Sequence, residues 1–277
     1  MKNLTHKFPI TTKFLLALLL FGVSLFISGL INKGIVKQYF PYSATICLLI
    51  ATWILFKSDK KSLKDIGLNL KSKNLAFLPI GILIGIIAFL IAKYVRAIYT
   101  GEIFNLSSVI NYKNILYGFY TMLPMVAVEE FLFRGYLFKK TIEISSVIKA
   151  NIIFSILFML VHVFDSGIIN SIPMIIFTVI TIPIGHLLFA TALLKSKSLY
   201  FPIGIHLGNN WATRHLITNS NDGESFLYIT NIARFDTWTS FIIFILIWNL
   251  FYLLVILIIW KWKDFSFLNR LKKNNFN

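Results

Sequence analysis

Charged side chains are scarce in this chain. Asp, Glu, Lys and Arg make up 14% of its 277 residues, against 57% hydrophobic ones. A soluble domain carries about 25% charged residues, so too few polar groups remain to wrap a water-soluble globule. Acidic residues are the scarcest: 11 stand against 27 Lys and Arg, a net charge of +16. A basic balance can signal nucleic acid. Here the lysines sit mostly in short loops and tails between apolar blocks, the pattern of membrane topology and anionic lipid, and no nucleic-acid partner is expected. The one cysteine, Cys47, excludes an intrachain disulfide and reads as a small buried hydrophobe. The alternating pattern of an outer-membrane strand is missing, and so is any internal repeat. The first apolar run, 14–31, lacks a clean small-x-small cleavage site. It is expected to be a retained spanning helix rather than a signal peptide.

Long apolar blocks are what the chain has in abundance. Eight are visible, at roughly 14–31, 39–56, 75–98, 115–138, 149–164, 168–194, 199–217 and 238–260. Backbone groups in lipid must be satisfied within the segment, which makes each block a helix. The expected fold is all-α: a single integral membrane domain over 1–277, a bundle of about eight transmembrane helices. Most of the basic residues then fall on one side, with Lys33, Lys37, Lys93, Arg96, Lys113, Arg214 and Arg234 on the other. Lys2, Lys7 and Lys13, the lysines of 57–73, Lys139, Lys140 and Lys149, Lys195 and Lys197, and the tail from Lys261 to Lys273 all share the first. The positive-inside rule places both termini in the cytoplasm, with the bilayer and its anionic inner leaflet as partners. Lys93 and Arg96 fall at the opposite, outer end of the third segment.

Ionisable side chains inside spanning segments are costly and usually functional, and here they cluster. The fourth segment holds Glu129, Glu130 and Arg134. Glu130 and Arg134 are i and i+4 and can pair, a role in helix packing. Glu129 points about 100° away around the helix and has no local partner. Burial and its neighbour would raise its pKa towards the range a general base needs. The fifth segment holds Phe158 and His162, one turn apart, so the ring can pack beside the imidazole. The seventh holds His206 and Asn210, also one turn apart. Both can donate to a single oxygen, which suits an oxyanion in acyl transfer; a polar helix–helix contact would use the same pair. Gly204 and Gly208 thin that helix for a close-approaching backbone or substrate. Asn209 points elsewhere and has no assigned role. His186, close to Pro183, fits no pattern and reads as a packing residue.

These three clusters, in this order, resemble the CPBP (Abi) family of intramembrane proteases, which includes CAAX-prenyl endoproteases and bacterial relatives linked to bacteriocin processing and self-immunity. The family pattern is EExxxR, FxxxH and HxxxN or HxxxB. It reads here as Glu129-Glu130-xxx-Arg134, Phe158-xxx-His162 and His206-xxx-Asn210. The resemblance spans about 115–215, the expected catalytic core. It implies that Glu129 and His162 activate a water, that His206 and Asn210 hold the oxyanion, and that Glu130, Arg134 and Phe158 support them.

The same residues leave a metal open as an alternative. Glu129, His162 and His206 could form a His2Glu zinc set. No HExxH accompanies them, and zinc would still need a separate base. A metal-free glutamate-type protease is the expectation, with no cofactor. The expected substrate is a peptide precursor or a membrane protein, and the expected location is a bacterial plasma membrane. The alternatives are a non-enzymatic bacteriocin-immunity or scaffold protein, and a transporter; the latter usually shows broken helices in two matching halves, which are not evident. One geometric demand follows. Counted from the inner ends of their segments, Glu129 and His206 lie ~10–15 Å deep and His162 ~20 Å. They meet only if the fifth helix starts below the membrane or tilts.

Overall fold

The computed structural model describes residues 9–232 and 234–262. The basic terminal residues Lys2, Lys7, Lys263, Arg270, Lys272 and Lys273 lie outside them. Each of the eight apolar blocks is helical. The main helices are α1 (Pro9–Ile31), α2 (Ser43–Ser58), α3 (Phe77–Thr100), α4 (Tyr112–Arg134), α5 (Tyr136–Ile144), α6 (Val147–Val163), α7 (Ile172–Ser196), α8 (Tyr200–Trp211) and α9 (Trp238–Lys261). Among the described residues, five helical stretches are long and apolar enough to cross a membrane: Ile10–Ile31, Ser72–Thr100, Tyr112–Ile144, Ile172–Ser196 and Trp238–Lys261. The helices Ser43–Ser58 and Val147–Val163 are apolar but shorter. The result is a helical membrane bundle.

Local chemistry sets the helix ends. Asn111, Ser146 and Thr237 cap α4, α6 and α9 by accepting the backbone N–H three residues on. Gly135 breaks the fourth apolar block into α4 and α5. Within α4, Pro124 has no N–H to give the Tyr120 carbonyl. The Tyr42 hydroxyl supplies the missing donor at 2.8 Å, and Thr45 Oγ1 bonds the carbonyl of Pro124 itself at 3.0 Å. A helix interruption thus becomes an anchor between α4 and the start of α2.

The closest packing in the bundle joins α3 to α8. Four glycines make it so. A Cβ on Gly85 would overlap the Ile205 carbonyl oxygen, and one on Gly208 the Ile82 carbonyl oxygen. A Cβ on Gly81 would lie 2.7 Å from the Phe201 oxygen. Residues 78–85 meet residues 201–209 in rising order, so the two helices run parallel. Small residues that let backbones touch are a common membrane contact. The thinning of the seventh segment therefore serves a backbone, that of α3.

A small three-stranded sheet joins the loops at one end. β1 (Ile103–Leu106) pairs antiparallel with β3 (Leu227–Thr230), which pairs parallel with β2 (Ile217–Thr218). At the other end, Asp59 gathers three donors from distant elements. Lys13 of α1 lies 2.7 Å away, Lys140 of α5 2.7 Å, and the Tyr136 hydroxyl 2.9 Å. Partial burial pushes the Asp59 carboxyl up. The bonds from Lys13, Lys140 and Tyr136 outweigh that and hold it down at about 2.

Two predictions follow from this packing. Gly208→Val should destabilise the protein by at least about 1–3 kcal/mol through overpacking. Gly22→Ala should be neutral or slightly stabilising, because nothing lies within 4 Å of its would-be Cβ. Thermal unfolding in detergent measures both. Asp59 is ionised in the fold well below its ordinary pKa of about 4. Its stabilisation is complete above that value and fades as pH falls towards 2. The melting temperature of the parent should therefore drop more between pH 5 and pH 2 than that of Asp59→Asn.

Candidate active site

Glu130 and Arg134 form the floor of the site. Both side chains are 0% exposed, and Arg134 Nη1 lies 3.3 Å from Glu130 Oε1. A buried charge of either sign needs a partner and hydrogen bonds. Arg134 finds the rest of its environment in aromatic faces: its guanidinium carbon lies 4.1 Å from the Phe158 ring centre and 5.0 Å from that of Phe189. The i and i+4 pairing read from the sequence is present. The sequence did not reveal a third member. His206 Nδ1 reaches the same Glu130 oxygen at 2.9 Å, across from α8.

That bond settles how the His206 ring is used. A buried carboxylate accepts, so Nδ1 carries the proton and Nε2 faces the other way. Phe189 stacks on the ring at 4.5 Å and 16°, and Phe158 meets it edge-on at 6.4 Å. The imidazole is held on three sides, and its Nε2 points towards Glu129, 3.8 Å from Oε2.

His162 is oriented in the same manner by different means. Its Nδ1 lies 2.8 Å from the Phe158 carbonyl oxygen, one turn back on α6. A carbonyl can only accept, so Nδ1 again carries the proton. The Phe158 ring stands edge-on to the imidazole at 4.5 Å and 71°. His162 Nε2 lies 4.0 Å from Glu129 Oε2. Two imidazole nitrogens from two helices thus converge on one carboxylate oxygen of a third. The three side chains meet, with His162 carried one residue from the end of α6, which begins at Val147.

These side chains line one cavity of about 540 Å³, within the usual range for ligand pockets. Glu129, Phe158, His162, His206 and Asn210 all face it. The Asn210 amide has no hydrogen-bond partner among the described residues. Glu130 and Arg134 lie behind the cavity wall. His186 does not line it; it is buried against the edge of Phe138 at 5.7 Å. Asn209, left without a role above, donates to the Tyr252 hydroxyl at 2.7 Å and ties α8 to α9 in the wall. Lys93 and Arg96 also line the cavity. Phe89, Lys93 and Arg96 are i, i+4 and i+7 on α3, a stripe that was legible in the sequence as one helix face.

Among the described residues, no three His, Cys, Asp or Glu side chains lie together in a way that could hold a metal ion.

One family model matches the chain, described as type II CAAX prenyl endopeptidase Rce1-like, over residues 111–212. That stretch contains every residue from Glu129 to Asn210, and the match is consistent with the CPBP, or CAAX protease, family. No curated protein and no solved structure matches.

Removing the floor carboxylate should be costly. Glu130→Leu leaves Arg134 buried without its counter-charge and frees the His206 ring. A loss of about 3–5 kcal/mol is expected, read as a lowered unfolding temperature in detergent. Glu130→Gln should cost less, since its amide oxygen still accepts from Arg134 or His206.

Proposed function

We propose that this chain, similar over residues 111–212 to the Rce1-like type II CAAX prenyl endopeptidases, is an intramembrane endopeptidase that uses Glu129 as its base. The observation that carries the reading is the convergence of His162 Nε2 and His206 Nε2 on Glu129 Oε2, at 4.0 and 3.8 Å. Hydrogen-bond acceptors arranged this way suit a water that donates to Glu129 and is oriented by His162. Glu129 takes one proton as the water oxygen bonds the substrate carbonyl carbon. The carbonyl oxygen becomes an oxyanion beside His206 and Asn210. The Asn210 amide can donate to it, and His206 can donate from Nε2 when both of its ring nitrogens carry protons. Glu129 then gives its proton to the leaving amine as the C–N bond breaks. The products are a new carboxylate and a new amino terminus.

The reading assigns no metal to the step. Were Glu129 a zinc ligand, the remaining carboxylate in the cluster would be Glu130. Its Oε1 is committed to Arg134 and His206, and the side chain is fully buried, which suits a structural role better than that of a base. The substrate in this proposal is a peptide precursor or membrane protein, cut near the cytoplasmic face of a bacterial plasma membrane. Both termini lie on that side, and the basic loops face the anionic leaflet.

The test is cleavage of a panel of membrane-anchored peptides by purified protein in detergent, with and without a chelator. The panel includes prenylated peptides and peptide precursors. Glu129→Ala and His162→Ala should each lower kcat by about 10²–10⁴-fold. Asn210→Ala should lower it about 10²-fold. The chelator should have no effect. Activity lost to the chelator and restored by zinc would instead make Glu129, His162 and His206 metal ligands. Cleavage unchanged in both Glu129→Ala and His162→Ala would sink the proposal.

A further inference from the structure

An endopeptidase that works inside a membrane must first open the segment it cuts. A peptide drawn out of a helix gives up its internal hydrogen bonds, and in an apolar setting its carbonyls need donors from the protein. The wall of the cavity is apolar over Phe89, Phe177 and Trp248. Among the polar groups that interrupt it are the hydroxyls of Thr181 on α7 and Tyr252 on α9.

Each of these hydroxyls is held by an asparagine. The Asn249 amide nitrogen donates to the Ile245 carbonyl at 2.8 Å and to Thr181 Oγ1 at 3.0 Å. A carbonyl can only accept, so the amide atom facing both is the nitrogen, and both of its hydrogens are used. Thr181 Oγ1 is therefore the acceptor in that contact and keeps its own hydrogen. The Tyr252 oxygen accepts from Asn209 Nδ2 at 2.7 Å and keeps its hydrogen in the same way. Neither hydroxyl donates to another group among the described residues. Thr213 and Thr218, which line the same cavity, give theirs to the carbonyls of Asn209 and Ser220. A hydroxyl hydrogen without an acceptor in an apolar wall is a cost that an arriving carbonyl removes.

The two donors continue from the site. Asn209, at the other end of the Tyr252 bond, directly precedes Asn210. Asn249 and Tyr252 are i and i+3 on α9, neighbours on one face, and Asn249 carries the bond to Thr181. From the oxyanion pair the donors thus follow one another from Asn210 to Tyr252 to Thr181, across α8, α9 and α7.

We propose that Thr181 and Tyr252 form a main-chain binding track, donating their hydroxyl hydrogens to carbonyls of an extended substrate segment whose scissile carbonyl sits at His206 and Asn210. Recognition of this kind reads the backbone, so the substrate class is an unwound apolar segment of variable sequence. The inference rests on the endopeptidase reading for what enters the cavity. Its test needs no bond cleavage.

The probe is a library of short peptides of mixed apolar sequence that carry a benzophenone crosslinker. Capture is measured on the Glu129→Ala protein in lipid nanodiscs. The library is made with three backbones: all amide, with esters replacing alternate amides, and with those same amides N-methylated. The ester weakens the carbonyl as an acceptor and removes the N–H; the methyl group removes the N–H and leaves the carbonyl strong. Adding Tyr252→Phe or Thr181→Val should lower capture of the all-amide and N-methyl libraries about three- to tenfold, the yield of one neutral hydrogen bond. Capture of the ester library should change much less, and Thr181→Ser should keep the original capture of all three. A loss of packing alone would lower the three libraries alike, and that result would overturn the proposal. So would no change in any library, or no capture of the all-amide library by the Glu129→Ala protein itself. A loss confined to the all-amide library would overturn the donor assignment, since the hydroxyl oxygens would then be accepting a substrate N–H. Cleavage that survives Glu129→Ala and His162→Ala sinks the endopeptidase reading and leaves these capture ratios as they are.

Discussion

The Glu130 carboxylate is the interaction on which the rest of the site depends. It is fully buried, and one oxygen serves two partners, Arg134 on its own helix and His206 on α8. A charge in that position is tolerable only because both partners are present. The bond to His206 fixes which nitrogen faces the cavity. The bond to Arg134 holds a guanidinium against Phe158 and Phe189, and those two rings in turn flank the His206 and His162 imidazoles. A single buried oxygen therefore sets the orientation of groups on α4, α6, α7 and α8.

Precision of this kind needs helices that cannot slide, and the backbone contact of α3 with α8 provides it. Side-chain packing leaves room for rotameric adjustment; glycine against carbonyl leaves almost none. The polar ties add directional restraints in regions where lipid offers no competing water: Asn209 to Tyr252, Asn249 to Thr181, and Tyr42 to the carbonyl freed by Pro124. Each such bond is modest alone, typically about 0.6 kcal/mol between membrane helices. Their value lies in fixing register.

Much of this was legible in the sequence, for identifiable reasons. The eight helical blocks follow from apolar length, a one-dimensional property. The Glu130–Arg134 and Phe158–His162 contacts follow from i, i+4 spacing within one helix. That Glu129, His162 and His206 come together was implied only through the resemblance, since spacing says nothing about contacts between helices. What stayed hidden depends on three-dimensional neighbours. The second acceptor role of Glu130 comes from α8, 76 residues away. Asn209 seemed to face away because its partner, Tyr252, lies on the last helix. Lys93 looked like an interfacial residue because its distance from the helix end was visible and its burial was not. The small sheet is built from short strands in loops, too brief to leave a periodic signal.

The parallel pairing of α3 with α8 has a consequence for biogenesis. More than 100 residues separate Gly85 from Ile205, so α3 enters the membrane well before its partner is made. Until α8 arrives, the glycine face of α3 has only lipid against it. The same α8 delivers His206 and Asn210. Closing the groove on α3 and completing the polar cluster are thus one event, and a nascent chain halted before Tyr200 would carry Glu129 and His162 without the helix that makes them a site.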